Sequence, residues 1–261
     1  MQMTARLRSL TRRARGATRS IGKRHLALAS VALFVTQCAP QQCAPEPAPA
    51  PAPAPAPGGS GYFGWNGDTG SLPNDAQCAA AVRRGQPEIR PNNTTYNNTP
   101  GSQSAPQWPR VTGNFTGTTD EIIQWAACKW GFDENTLRAQ AAKESYWSML
   151  SVGDNGESFG LMQVRNTTFR NDGVFPNAQR STAFNIDIYL ATWRDCYDGK
   201  DTWLNSVERG GQYGAGDAWG CIGKWFSGRW YTPPSVDYIN AVQGYLAQQI
   251  WSDGGFKAWR P

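Results

Sequence analysis

Glu144-Ser145-Tyr146-Trp147 and, shortly after it, Gly153-Asp154-Asn155-Gly156-Glu157-Ser158-Phe159-Gly160-Leu161-Met162-Gln163-Val164 form the most informative region of this chain. A carboxylate leaves a helical run, a glycine-rich, hydroxyl-bearing loop follows, and a Phe-Gly-Leu-Met-Gln-Val segment closes it. On the preceding helix Leu137, Ala141 and Glu144 fall at i, i+4 and i+7, so Glu144 shares the apolar face. Trp147 and Met149 add apolar surroundings nearby. Burial of this kind disfavours the charged form of a carboxyl group and so keeps a proton available near neutral pH. The layout suits a general acid beside a cleft that grips a polymer. The alternative is an ordinary half-exposed helical glutamate paired with Lys143 or Arg138.

The flanking sequence is helical in pattern. Thr118-Thr119-Asp120-Glu121 is a capping box, followed by Ile122, Ile123, Trp125, Ala126 and Trp130, and Gly131 ends that helix. Asp133 caps the helix that carries Glu144. A third helix spans Thr182 to Tyr197, with Phe184, Ile188, Leu190 and Trp193 as apolar positions and Gly199 as its stop. A short helical piece fits Thr202 to Val207. A last long helix starts near Ser235, carries Tyr238, Val242, Tyr245, Leu246 and Gln249, and stops at Gly254-Gly255. The expected fold is mainly α (α+β), with a short β-hairpin between Met149 and Val164.

Four segments are expected: 1–38 as a leader, 39–61 as an Ala/Pro-rich linker, 62–112 as an irregular extension and 113–261 as the catalytic domain. In the leader a long basic run precedes the apolar Leu26–Val35, too short to span a bilayer but suited to an export signal. An uncleaved membrane tether is the alternative. Cys38 and Cys43 each follow Gln, where a lipidated cysteine wants a small residue. The Ala-Pro run is an extended spacer without core-forming side chains. Asn92–Thr99 is expected to be loop, and Cys78, Tyr62, Phe63 and Trp65 to tie the extension to the main domain.

Charge and composition exclude several function classes. The formal charge of +5 hides an uneven distribution. Arg6, Arg8, Arg12, Arg13, Arg15, Arg19, Lys23 and Arg24 are all in the leader, and the remaining 17 basic against 20 acidic residues leave −3. A nucleic-acid partner would want a basic folded domain, so none is expected. The single histidine, His25, is in the leader, so no imidazole serves a Ser-His-Asp or Cys-His nucleophile. Hydrolytic chemistry would then rest on carboxylates. There is no Cys-x-x-Cys, which leaves no zinc site; no metal or cofactor is expected. Cys78, Cys128, Cys196 and Cys221 allow three disulfide pairings. Cys78–Cys128 with Cys196–Cys221 is expected, because each closes a moderate loop.

The Glu144-Ser145 pair and the Gly160-Leu161-Met162-Gln163 segment resemble the goose-type lysozymes and soluble lytic transglycosylases. The likeness covers about residues 115–250 and is strongest over 144–164. It implies a lysozyme-like domain whose short β-hairpin borders the active-site cleft. It also implies a secreted, monomeric enzyme of the cell wall, acting on peptidoglycan glycan strands with Glu144 as the acid. Gln163 would then line the cleft or brace its loop, and Ser145 would orient Glu144 or a backbone group. Asp154 stands where goose-type enzymes carry a water-holding carboxylate, although Gly-Asp-Asn-Gly is also good turn chemistry.

Two departures from the family pattern stand out. Arg165 follows Val164 where goose-type enzymes carry a second Asp; Glu157 or Asp172 could substitute. Lys224-Trp225-Phe226-Ser227-Gly228 occupies the place of a Tyr-Asn motif, and Phe226 lacks the amide hydrogen bonds of Asn. Trp225 and Tyr238 are expected at the substrate, and Trp147, Trp219 and Trp230 are further candidates for stacking on sugar rings. The favoured activity is lytic transglycosylation. The alternatives are an inverting muramidase, with its two carboxyls roughly 6.5–9.5 Å apart, and a wall-binding module without activity.

Overall fold

Thr118 accepts a hydrogen bond from the Glu121 N–H at 3.3 Å while the Glu121 carboxylate accepts from the Thr118 N–H at 3.1 Å. This reciprocal cap opens a helix that ends on Gly131 at φ 65°, a left-handed conformation that glycine adopts without a Cβ clash. The structure, a computed structural model, describes residues 63–102 and 105–260. These fall within one compact unit, Pro51–Pro261. The leader, its basic run, Cys38, Cys43, Tyr62 and the Ala-Pro linker lie outside the described residues.

Nine α-helices run through the described residues: α1 (Asp75–Ala81), α2 (Thr94–Asn97), α3 (Thr119–Trp130), α4 (Glu134–Ser145), α5 (Asn177–Arg180), α6 (Thr182–Tyr197), α7 (Ala218–Ser227), α8 (Pro233–Gln248) and α9 (Gly254–Ala258). Between α4 and α5 sit three short antiparallel strands, β1 (Val152–Gly153), β2 (Ser158–Phe159) and β3 (Val164–Arg165), in that order. Val152 faces Phe159, and Phe159 faces Val164. The domain is therefore mainly helical with a small sheet, α+β in general terms. The expected hairpin gains a third strand that reaches Arg165.

Helices α3 and α6 form the centre, and both are buried nearly all round rather than on one stripe. Lys129 of α3 is 1% exposed, and its Nζ lies 2.8 Å from Asp187 of α6 and 2.7 Å from Asp75 of α1. Asp187 also accepts from the Trp130 indole at 2.6 Å and from the Thr112 and Gly113 amides. A buried carboxylate with that many donors is satisfied as an anion.

Helix α4 is capped by Asp133, whose Oδ1 accepts from the Thr136 N–H at 2.7 Å. It does not end on glycine: Tyr146 and Trp147 both take positive φ, 53° and 63°. Such strain persists only where the surroundings fix it. Here the extension supplies the clamp. Buried Arg90 donates from Nε to the Tyr146 carbonyl at 2.7 Å. Buried Asn93 donates to the Trp147 carbonyl at 2.7 Å and accepts from the Met149 N–H at 2.9 Å. The Arg90 guanidinium also reaches the Phe256 carbonyl of α9 at 2.8 Å.

The extension thus differs from the expected irregular segment. It contains α1 and α2, and its Asn92–Thr99 patch includes the buried Asn93 and Asn97. Cys78 of α1 is bonded to Cys128 of α3, and Cys196 of α6 to Cys221 of α7, the pairing expected from loop size. Trp65 packs 4.6 Å from Phe132 and 5.6 Å from Trp193.

The C-terminal helices also correct the sequence-based boundaries. Helix α8 begins at Pro233, two residues before Ser235, because proline is favoured in a first helical turn where no N–H partner exists. It stops at Gln248, with Gln249 at φ 44°, and Gly254-Gly255 open α9 under an Asp253 cap rather than ending a long helix. Thr202–Val207 resolves into two 3-10 turns, Thr202–Asn205 and Val207–Arg209. Helix α7 was not expected, since Gly220 and Gly223 weaken its pattern. A Cβ on Gly220 would meet the Trp230 ring at 2.3 Å, and one on Gly223 would meet Ile239 at 2.8 Å. Both glycines are packing solutions, not helix breaks.

Candidate active site

Glu144 occupies the last turn of α4, half-buried in the floor of a cleft of about 750 Å³. Helix α8 packs along α4 and brings the Tyr238 hydroxyl to Glu144 Oε1, to which it donates. Tyr238 in turn accepts from Gln140 Nε2 at 3.1 Å, and Gln140 Oε1 accepts from the Tyr189 hydroxyl. Gln140 lies one helical turn before Glu144, so α4 contributes two links of this buried chain, α8 one through Tyr238 and α6 one through Tyr189.

Burial raises the Glu144 pKa from an ordinary 4.5 to about 7, with the Asp154 charge adding to the rise. The Tyr238 hydrogen bond and the Lys143 ammonium pull the other way. Desolvation prevails because the charged form loses more hydration than one phenol and one exposed ammonium restore. The Tyr238 and Tyr189 phenols are held well above their ordinary value by burial and then by the Glu144 charge, so both stay protonated donors.

The loop after Glu144 is held by α6. Asn185 accepts from the Met162 N–H at 2.8 Å and donates to the Phe159 and Ala178 carbonyls at 2.9 and 2.8 Å. Gly160 has φ 77°, and a Cβ there would meet Asn185 Nδ2 at 2.6 Å. The Gly-Leu-Met-Gln run is therefore wrapped around one buried asparagine. Ser145 joins this arrangement from α4, donating from Oγ to the Leu161 carbonyl at 2.8 Å.

Five of the seven expected catalytic and substrate-contacting residues line the cleft: Glu144, Asp154, Gln163, Trp225 and Tyr238. Asp154 is exposed on the β1–β2 turn at φ 48° and accepts from Ser158 Oγ at 2.5 Å. Gln163 uses its amide nitrogen to brace the loop, donating to the Ser151 and Gly160 carbonyls at 3.1 and 2.9 Å. Trp225 is half-buried, donates to the Met162 carbonyl at 3.1 Å and meets Tyr189 edge-on at 4.8 Å.

Two expected substrate contacts are not in the cleft. Ser145 is buried and acts on the Leu161 backbone. Trp147 is 2% exposed; the positive-φ pair swings its indole back under α4, where it donates to the Arg138 carbonyl at 3.0 Å and meets Phe256. Trp219 and Trp230 are buried as well.

The departures take definite forms. Arg165 lines the cleft and binds Glu157 through Nε and Nη2 at 2.9 and 2.6 Å. Glu157 is thereby engaged, its carboxyl held below its ordinary value by Arg165 and then Thr167. Asp172 does line the cleft. Phe226 stacks parallel to Tyr238 at 4.9 Å, so it offers an apolar face where an amide was expected. Trp108 and Trp203 also line the cleft; no local pattern in the sequence singles them out.

Among the described residues no group of His, Cys, Asp and Glu side chains could hold a metal ion, and no helix is long and apolar enough to cross a membrane. Comparison with protein-family models, with curated proteins and with solved structures gives no significant match.

Proposed function

We propose that this protein is a lytic transglycosylase with a lysozyme-like domain, cleaving the β-1,4 bond between N-acetylmuramic acid and N-acetylglucosamine in peptidoglycan. The observation that carries this is the state of Glu144: a half-buried carboxyl in a cleft of about 750 Å³, with a pKa of about 7 and a tyrosine hydroxyl on Oε1. Such a group holds a proton at neutral pH and also accommodates the carboxylate that remains after giving it up.

Glu144 protonates the bridging oxygen, and the bond from the muramoyl C1 to that oxygen breaks with its electron pair leaving on N-acetylglucosamine. The Glu144 carboxylate then takes the proton from the muramoyl C6 hydroxyl, whose oxygen closes on C1 as a 1,6-anhydro ring. The proton balance is complete with one carboxyl group, and no water is consumed. The engagement of Glu157 by Arg165 supports this reading by removing one of the carboxylates that could stand in for the missing second Asp. Two disulfides support action outside the cytoplasm, on the wall itself.

Asp154 favours a second reading. It lines the same cleft and its charge raises the Glu144 pKa, as a carboxylate holding an attacking water in an inverting muramidase would. Mass spectrometry of soluble products from purified peptidoglycan decides between them. Anhydro-muropeptides, lighter by one water, are expected. Reducing-end products would promote Asp154 to a catalytic role, and no soluble product would leave only a wall-binding module.

A further inference from the structure

The cleft carries two aromatic groups. One, around Tyr238, Phe226 and Trp225, belongs to Glu144. The other is Trp108 and Trp203, which line the same cleft and whose ring contacts are with other side chains, Phe169 for Trp108 and Arg209 and Lys224 for Trp203.

Trp108 comes from the extension, outside the segment that resembles wall-cleaving enzymes. It is half-buried, its Nε1 donates to Asp195 Oδ2 at 2.6 Å, and its ring meets Phe169 edge-on at 5.9 Å. Trp203 is 46% exposed, and its Nε1 donates to Asp201 Oδ1 at 3.1 Å. Asp201 is fixed in turn by Lys224 Nζ at 2.7 Å. The Arg209 guanidinium lies 5.5 Å from the Trp203 ring centroid and Lys224 Nζ lies 6.0 Å from it.

The two indoles share one design. Each N–H is already donated to a carboxylate, so a ligand covering the ring strands no polar group. Each ring is pinned, so binding costs little side-chain entropy. What remains for a ligand is aromatic surface, bordered by carboxylate oxygens able to accept hydroxyl hydrogens. That combination fits a pyranose ring, which is apolar on its C–H face and hydroxylated at its edge. The nearby charges are largely paired, Asp195 with Lys200 at 2.5 Å and Asp201 with Lys224 at 2.7 Å, which suits an uncharged ring.

We propose that Trp108 and Trp203 form a sugar-stacking subsite of the cleft, separate from the Glu144 centre, that takes a further ring of the same glycan chain. This rests on the cleft being a glycan site. It assigns the extension a part in substrate binding and makes affinity depend on chain length.

The test is titration calorimetry on the Glu144→Gln protein, full chain, with N-acetylchitopentaose and N-acetylchitobiose as probes. The pentamer is expected to bind more tightly than the dimer. Trp203→Ala and Trp108→Ala should each weaken the pentamer about tenfold, the scale of one lost aromatic contact, and leave the dimer unchanged. Trp203 is exposed at the rim, so its alanine variant keeps the fold and carries the test if Trp108→Ala melts early. Equal affinity of parent and Trp203→Ala for the pentamer, or no binding of either probe by the parent, overturns the subsite. Failure of the wild type to cut peptidoglycan, with tryptophan-dependent pentamer binding intact, would instead remove the transglycosylase assignment and leave the subsite standing.

Discussion

Tyr238 donates its hydroxyl hydrogen to Glu144 Oε1 across 94 residues of chain. The direction of that bond is fixed from behind: Gln140 Nε2 already donates to the Tyr238 oxygen, so the single phenolic proton has one place to go. Glu144 is thus placed between two opposed influences. Burial favours its neutral form, while the tyrosine favours its charged form. A group that must give up a proton and take one back is well served by such a balance.

Replacing Glu144 with Gln should abolish clearing of wall material while leaving binding intact. It should also stabilise the protein above neutral pH. The folded-state pKa of about 7 exceeds the ordinary 4.5. Stability from this group is therefore full below 4.5 and is lost as pH rises through 7. Glutamine removes that loss, which amounts to about 3 kcal/mol at pH 8, or roughly 8 °C in melting temperature. The gain should vanish at pH 4. Melting curves at the two pH values check this; equal gains at both would refute a titrating origin.

Wild-type activity should fall as pH rises through about 7, because the acid must be protonated. In Tyr238→Phe the charged form of Glu144 loses its donor, so that alkaline limb should move to higher pH. The same change strands the buried Gln140 amide, at a cost of about 1–3 kcal/mol in stability. The pH profile of turbidity loss on peptidoglycan separates the two effects, and an unmoved limb would refute the role given to the hydroxyl.

Asp154→Asn removes a charge that raises the Glu144 pKa, so the alkaline limb should move to lower pH. For a transglycosylase, turnover at its own optimum should stay within about tenfold of wild type. For an inverting muramidase, where Asp154 would hold the water, it should drop by about 10²–10⁴. Initial rates on one peptidoglycan preparation distinguish these cases.

Opening the Cys196–Cys221 bond by a double Cys→Ser change should cost about 3–4 kcal/mol for a loop of this length. The bond ties α6 to α7, which carries Trp225 and Phe226. Melting with and without reductant should therefore differ more for the wild type than for the variant, which keeps the Cys78–Cys128 bond. A wild-type melt indifferent to reductant would contradict the assignment.

What was legible in the chain is what local chemistry dictates. The Thr118 cap, the Gly131 stop and the Thr182–Tyr197 helix emerge where the sequence puts them, because their donors and acceptors lie within a turn of each other. The proximity of Glu144 to an apolar face and the loop that follows it have the same local basis, while the disulfides follow from loop size over 25 and 50 residues. Helix α7 was hidden because its glycines answer to Trp230 and Ile239, which lie further along the chain. Trp147 was misplaced because helical spacing does not foresee two successive positive-φ residues.

The remaining features required the tertiary structure. Arg90 and Asn93 read as parts of a polar loop, yet they hold the backbone turn directly behind Glu144. Trp108 and Trp203 are two of twelve tryptophans until the fold sets both in the cleft. The physical reason is one of range. Helix caps, periodicity and turn chemistry act over a few residues and so are written in order along the chain. The partner of a buried carboxyl, and the degree to which it is buried, are set by packing between elements distant in sequence. The sequence therefore determined which residue types were available for acid chemistry, and packing alone decided that Glu144 meets Tyr238 at the floor of a cleft.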